Sequence, residues 1–168
     1  MAEEAVLVAT GADRPGVMDE LSQFLLESGG NITDSHAVNL RGYFAMLLLV
    51  RASPESMQKI SLGLHALTAR GINAQLHDAS STRRENGTFP YVFTASGKDQ
   101  AGVLHRISHL LRVLKINIDG IETQVAPDSS FQIRLALAIP RETPITMARE
   151  YLTVLCKELG ITGTLAEA

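Results

Sequence analysis

The sequence predicts an α+β fold built twice: two β-α-β-β-α-β units, each a four-stranded antiparallel sheet with two helices on one face. Three observations predict it. First, Thr10-Gly11-Ala12-Asp13-Arg14-Pro15-Gly16-Val17-Met18 returns 86 positions later as Ser96-Gly97-Lys98-Asp99-Gln100-Ala101-Gly102-Val103-Leu104. A repeat at a fixed offset decides the architecture before any element is read. Second, Asn31-Ile32 returns at the same offset as Asn117-Ile118, fifteen residues past each Gly. Third, the hydrophobic period switches between 2 and 3.6 in the same order in both halves.

Taken in order, Ala5 to Ala9 is a short β-favouring run, expected to be a strand buried on both faces. The repeated loop follows. Val17, Met18, Leu21, Phe24 and Leu25 recur at helical spacing, and Gly29-Gly30 stops that helix. Asn31 to Leu40 and Tyr43 to Ala52 read as a hairpin closed by Arg41-Gly42. Ser53-Pro54-Glu55 opens a second helix with a capping hydroxyl, a first-turn Pro and an acid, and Met57, Ile60, Leu64 and Leu67 form its inner stripe. Gly71 ends it, and Ile72 to Asp78 alternates as a half-exposed strand.

Residues 79–88 are polar and aperiodic and read as the join between units. The expected boundaries are 1–80 for the first domain, 81–89 for the linker and 90–168 for the second domain. The second domain repeats the order: strand Tyr91 to Ser96, a helix striped by Val103, Leu104, Ile107, Leu110, Leu111 and Leu114, and strands Asn117 to Ala126 and Phe131 to Ile139. A helix announced by Thr143-Pro144 and ended by Gly160 follows, then strand Ile161 to Leu165. This order is the split β-α-β, or ferredoxin-like, arrangement. It leaves one sheet face and one edge open, and an open edge invites pairing. A unit of about 80 residues buries only roughly 60–65% of its unfolded surface, so association with another unit or a second chain is expected.

Composition narrows the function. The net charge of −3 argues against a general nucleic-acid binder, which needs a basic face. The lone cysteine, Cys156, lies in an apolar helical pattern and reads as a core residue. One cysteine forms neither an internal disulfide nor a cysteine-rich metal site, which points to a cytoplasmic chain. Met1-Ala2-Glu3-Glu4 does not read as a signal peptide, and no apolar run is long enough to span a membrane. His105 and His109 stand four apart on a helix, a spacing that can hold a metal, but they lie off the apolar stripe with no accompanying glutamate. No metal and no cofactor are expected. There is no nucleophile elbow and no phosphate loop.

The loop carries the chemistry. Asp13 and Asp99 precede a helix start, where unpaired N–H groups carry partial positive charge. Gly16 and Gly102 let a ligand approach that backbone, and a small carboxylate fits there. Asn31 and Asn117 begin the strand expected to run beside the strand before the loop, and their amides both donate and accept. With Asp as an acceptor for an ammonium group, the set suits a zwitterionic amino acid. The competing reading is that Asp13 and Asp99 are plain helix caps.

Asp-Arg-Pro-Gly-Val-Met with Asn-Ile fifteen residues past the Gly resembles the signature of the ACT domain, a small regulatory module of this same element order. Two units with no enzyme attached resemble the glycine cleavage system transcriptional repressor group. The resemblance implies an effector site at an interface between units, formed by the loop and the start of the second strand. Carried over residue by residue, it comprises Asp13, Arg14, Gly16, Asn31 and Ile32 in the first unit and Asp99, Gly102, Asn117 and Ile118 in the second. Ala101 stands where the first unit has Pro15, and Lys115-Ile116 where it has Gly29-Gly30, so the first loop is the closer match.

The expectation is a non-catalytic sensor of a small metabolite, an amino acid, forming a homodimer and acting on a protein partner with no direct nucleic-acid or membrane contact. The alternative is a structural, dimerising module with no ligand. A third class, a small phosphatase on the same fold, needs an arginine among free N–H groups in its loop; Arg14 is the candidate, but it is not repeated in the second copy, where Gln100 stands.

Overall fold

The computed structural model describes residues 2–79 and 87–168. The chain divides into two units, Met1–Arg84 and Glu85–Ala168. The first contains β1 (Glu3–Ala12), α1 (Val17–Glu27), β2 (Asn31–Leu40), β3 (Tyr43–Ala52), α2 (Pro54–Thr68) and β4 (Ile72–Asp78). The second contains β5 (Thr88–Lys98), α3 (Val103–Val113), β6 (Asn117–Val125), β7 (Ser130–Pro140), α4 (Ile145–Leu159) and β8 (Thr162–Glu167). The sheets run β2-β3-β1-β4 and β6-β7-β5-β8, every pairing antiparallel. The expected ferredoxin-like order is present twice. Of the segment read as a linker, residues 80–86 lie outside the described residues, and Thr88 and Phe89 already belong to β5.

Each unit has its own core. In the first, Leu7, Ala9, Leu48 and Val50 of the sheet meet Leu21 and Leu25 of α1 and Ile60 and Leu67 of α2. In the second, Phe93, Leu135 and Leu137 meet Ile107, Leu111, Leu152 and Cys156. Burial pushes the Cys156 thiol pKa up, which holds it as an inert, protonated core group. The two-sided burial expected for β1 is not found. Ala5, Leu7 and Ala9 are buried while Val6, Val8 and Thr10 are only half-buried, because both helices pack on one face.

The helix ends follow their local chemistry. Ser53 caps α2 by accepting from the Ser56 N–H at 3.2 Å, with Pro54 next, as expected. The cap expected at Thr143 is not formed; Pro144 occupies the N-cap position of α4 without a side-chain bond. At the end of α1 the Gly30 N–H reaches the Leu25 carbonyl at 2.8 Å and the Gly29 N–H reaches Leu26 at 3.0 Å, a Schellman pair. The hairpin turn Arg41-Gly42 has φ of 52° and 80° at its two positions, the type I′ form that matches strand twist.

One expectation about strand order is corrected. β2 and β6 do not run beside the strand that precedes the loop; they are edge strands paired only with β3 and β7. The two-residue turn fixes β2 against β3, and β3 then fills the position next to β1 that the α1 crossover skips. Each edge strand also carries a register shift, between Ile32 and Asp34 and between Ile118 and Gly120.

Candidate functional site

In both units the strand runs to the brink of the loop, through Ala12 and Lys98. Gly16 and Gly102 are then the N-cap residues, at φ 93° and 89°, a left-handed geometry that only Gly adopts freely. Neither cap offers a side-chain acceptor, so the first N–H groups of α1 and α3 receive no side-chain bond. The capping role weighed for Asp13 and Asp99 is therefore not the one they play. A Cβ added at Gly16 or Gly102 would meet nothing within 4 Å, so both helix starts face open space.

Asp13 instead ties the loop to the hairpin. Its N–H donates to the Gly42 carbonyl at 2.8 Å, and its carboxylate accepts from the Asn39 amide. The Asn39 carbonyl oxygen in turn accepts from the Gly42 N–H at 3.1 Å. Sequence reasoning missed Asn39, although the two-residue turn already fixes it opposite Phe44, in line with Gly11 beneath the loop. In the second unit the Asp99 N–H donates to the Ser129 carbonyl at 2.8 Å, but Val125 stands where the first unit has Asn39. Asp128 there accepts from the Ser130 hydroxyl and N–H, which holds its carboxyl below the usual range.

Arg14 is a latch. Its guanidinium donates to both Glu20 oxygens, at 2.5 and 2.9 Å, and to the Arg70 carbonyl at 3.2 Å. The hydrogen bond to Glu20 raises the Arg14 pKa, and the same bond lowers that of Glu20. Gln100, at the matching position, donates to the Leu159 carbonyl at 2.7 Å. Arg70 and Leu159 each stand immediately before the left-handed glycine that closes the second helix of their unit, Gly71 and Gly160, so the two unlike residues perform one task.

Asn31 lies at the other end of the unit. It pairs in register with Arg51, next to the Glu4–Arg51 ion pair of 2.6 Å, whereas Ala12 and Leu40 pair with Tyr43. Those rungs are eight residue steps apart along β3, roughly 27 Å. Within one unit the loop and the asparagine do not meet. The Asn31 side chain is exposed and makes no hydrogen bond among the described residues. Asn117 donates to Asp119 at 2.7 Å. Ile32 and Ile118 are half-buried against the core of their own unit. His105 and His109 stand exposed with ring centroids 6.2 Å apart, and no cluster of three metal-ligating side chains occurs among the described residues. No helix among them is long and apolar enough to cross a membrane.

The architecture defines a tandem of two ferredoxin-like units, each with a glycine-capped helix start at the end of its first strand. Residues 3–73, most of the first unit, match the ACT domain family. The second unit repeats it element for element. A UPF0237 protein of Methanopyrus kandleri is 45% identical over 49 residues, 29% of this chain and 54% of that protein, so the match spans about half the relative's length. The crystal structure of an unknown protein from Galdieria sulphuraria superposes with a TM-score of 0.85 at 21% identity, covering 100% of this chain and 99% of that one. A candidate glycine cleavage system transcriptional repressor superposes with a TM-score of 0.76 at 20% identity, covering 98% and 96%. At these identities the likeness is one of fold.

Proposed function

We propose that this protein is a non-catalytic regulator that senses a small metabolite, an amino acid, through its first ACT domain and controls a protein partner. The observation that carries the reading is the helix start at Gly16: without a side-chain cap, with open space beside the glycine, and inside the segment that matches the ACT family. Such a terminus attracts a carboxylate. The Asp13 oxygen not engaged by Asn39 is left to take an ammonium group.

A second copy of the chain supplies what one unit lacks. β2 is an open edge, and two such edges pairing antiparallel about a two-fold axis bring the Leu40 end of one strand beside the Asn31 end of the other. The loop of one first unit then faces Asn31 and Ile32 of its partner's. Ligand bound there favours one arrangement of the pair, and only its differential affinity for the two arrangements moves the equilibrium. The shared fold with a candidate transcriptional repressor supports placing that output in the control of amino-acid metabolism. Asp99, Gly102, Asn117 and Ile118 form the weaker counterpart, without the Asn39 tie.

Thermal unfolding with each of the twenty amino acids tests this. A ligand at about 100 times its Kd stabilises by roughly 2.7 kcal/mol. Gly16→Ala puts a methyl where the ligand would approach, at a backbone φ of 93° that costs an L-residue about 1–2 kcal/mol; it is expected to abolish the ligand shift from its own lower midpoint, with sedimentation reporting an intact oligomer. No shift with any amino acid would sink the sensor reading. It would favour a ligand-free dimerising module, which the prior engagement of Arg14 by Glu20 and Arg70 also suits.

A further inference from the structure

The outer faces of the two sheets, away from the helices, differ in chemistry: the second is wholly polar over two rungs where the first is half apolar. Strand register lines up residues across each sheet. In the second unit one rung on the outer face reads Glu122, Arg134, Thr94, Thr164. The rung beside it reads Gln124, Gln132, Ser96, Thr162. All eight are exposed, and every one carries a hydrogen-bonding group. The equivalent first-unit rungs are His36, Leu47, Val8, Gln75 and Val38, Ala45, Thr10, Asn73. The shared fold therefore does not require a polar face; Arg134 stands where the first unit has Leu47, and Thr94 where it has Val8.

Over these two rungs lies a cavity of about 400 Å³, within the range of roughly 300–1,000 Å³ that small-molecule sites occupy. Glu122 and Arg134 are direct cross-strand neighbours, yet neither side chain makes a hydrogen bond or ion pair among the described residues. Their Cβ atoms stand about 5 Å apart in such a pair. An arginine fork takes a carboxylate with two parallel bonds, and a carboxylate takes an ammonium group. The hydroxyls and amides around them both donate and accept, so they match polar substituents of either kind and reject apolar ones.

We propose that the outer face of the second sheet is a binding site for a small zwitterion, its carboxylate on Arg134 and its cationic nitrogen on Glu122. This site shares no residue with the Gly16 loop, and neither reading depends on the other. The test is residue-resolved: amide shifts of the ¹⁵N-labelled full chain, titrated with the twenty amino acids, and with propionate and butyramide as singly charged and uncharged controls. The expected result is saturable change at residues 94, 122, 134 and 164 with at least one amino acid, and weaker change with both controls. Arg134→Gln and Glu122→Gln should each weaken that binding at least about tenfold, the loss of one charge-assisted bond. Arg134→Leu installs the residue of the first unit and should do the same, with circular dichroism reporting the intact fold. No change at these residues with any amino acid overturns the proposal. So does binding that survives Arg134→Gln, or a change of sedimenting mass on Arg134→Gln, which would assign the face to a second copy of the chain. Shifts confined to residues 13–20 would report the loop site and likewise count against this one.

Discussion

Arg14 and Gln100 each reach the carbonyl at the matching position of their own unit. The Arg14 guanidinium donates to Arg70, and the Gln100 amide donates to Leu159, the matching position in the second unit. Arg14 adds the two bonds to Glu20, a position held in the second unit by Arg106, which pairs instead with Glu158 at 2.7 Å. Arg14→Gln should therefore keep the link from loop to second helix and lose only the ion pair. Arg14→Ala should lose both. The expected order of first-unit unfolding midpoint is wild type, then Arg14→Gln, then Arg14→Ala. A midpoint for Arg14→Gln equal to that of Arg14→Ala would show that the carbonyl contact contributes nothing.

The same pair sets a pH dependence. The Arg14 hydrogen bond lowers the Glu20 pKa in the folded chain, so the folded state holds this proton less tightly than the unfolded state. The contribution is fully present above the unfolded carboxylate value and is lost as pH falls through the lower, folded one. In Glu20→Gln the midpoint should drop slightly at neutral pH and converge with wild type in acid. Both side chains are partly exposed, at 41% and 25%, so the effect is small and should shrink further in salt. A gap that widens on acidification would contradict the assignment.

How much of this was legible beforehand depends on range. The repeat, the helix stripes and the two-residue turn are local signals, and they carried the element order and the two cores. Strand adjacency is not local: nothing in Asn31 itself says whether β2 lies beside β1 or beyond β3, and the wrong choice put the loop and the asparagine together. The capping role of Asp13 failed for a similar reason. β1 runs three residues past Ala9, which moves the helix start to Gly16 and turns the Asp13 carboxylate toward Asn39. The polar rungs under Arg134 were hidden in plain alternation, since a strand of period two says which residues share a face but not what stands beside them.

Gly11 and Gly97 repeat for a packing reason rather than a ligand. A Cβ at Gly11 would lie 2.5 Å from the Gly71 carbonyl oxygen, which is backbone and cannot rotate away. At Gly97 the nearest atom is the Ile161 Cγ2 at 2.8 Å, a branch methyl that a χ1 change can move, with the Ile161 Cβ at 3.2 Å and Cα at 3.3 Å behind it. Gly11→Ala should cost about 1–3 kcal/mol, the usual range for overpacking, and Gly97→Ala should fall at the lower end of it. Urea midpoints of the two variants check this. Equal losses would mean that the Gly71 backbone yields as easily as an isoleucine rotamer.

Lys115 occupies the left-handed position after α3, at φ 58°, where the first unit has Gly29 at φ 81°. The Schellman bonds are the same: the Lys115 N–H reaches Arg112 at 3.0 Å and the Ile116 N–H reaches Leu111 at 2.9 Å. The lysine thus holds a conformation that costs an L-residue about 1–2 kcal/mol, partly offset because glycine loses more entropy on folding. Lys115→Gly should stabilise the second unit by about 0.5–1 kcal/mol. The reverse exchange is not symmetrical. A Cβ at Gly29 would lie 2.5 Å from the Ser56 hydroxyl, and moving that hydroxyl breaks its bond from Ser53 at 3.1 Å. Gly29→Lys should therefore cost the backbone term and the displaced contact together, about 2 kcal/mol or more. The pair of urea midpoints, one raised and one lowered, distinguishes this from a generic preference for glycine at helix ends, which would make the two changes equal and opposite.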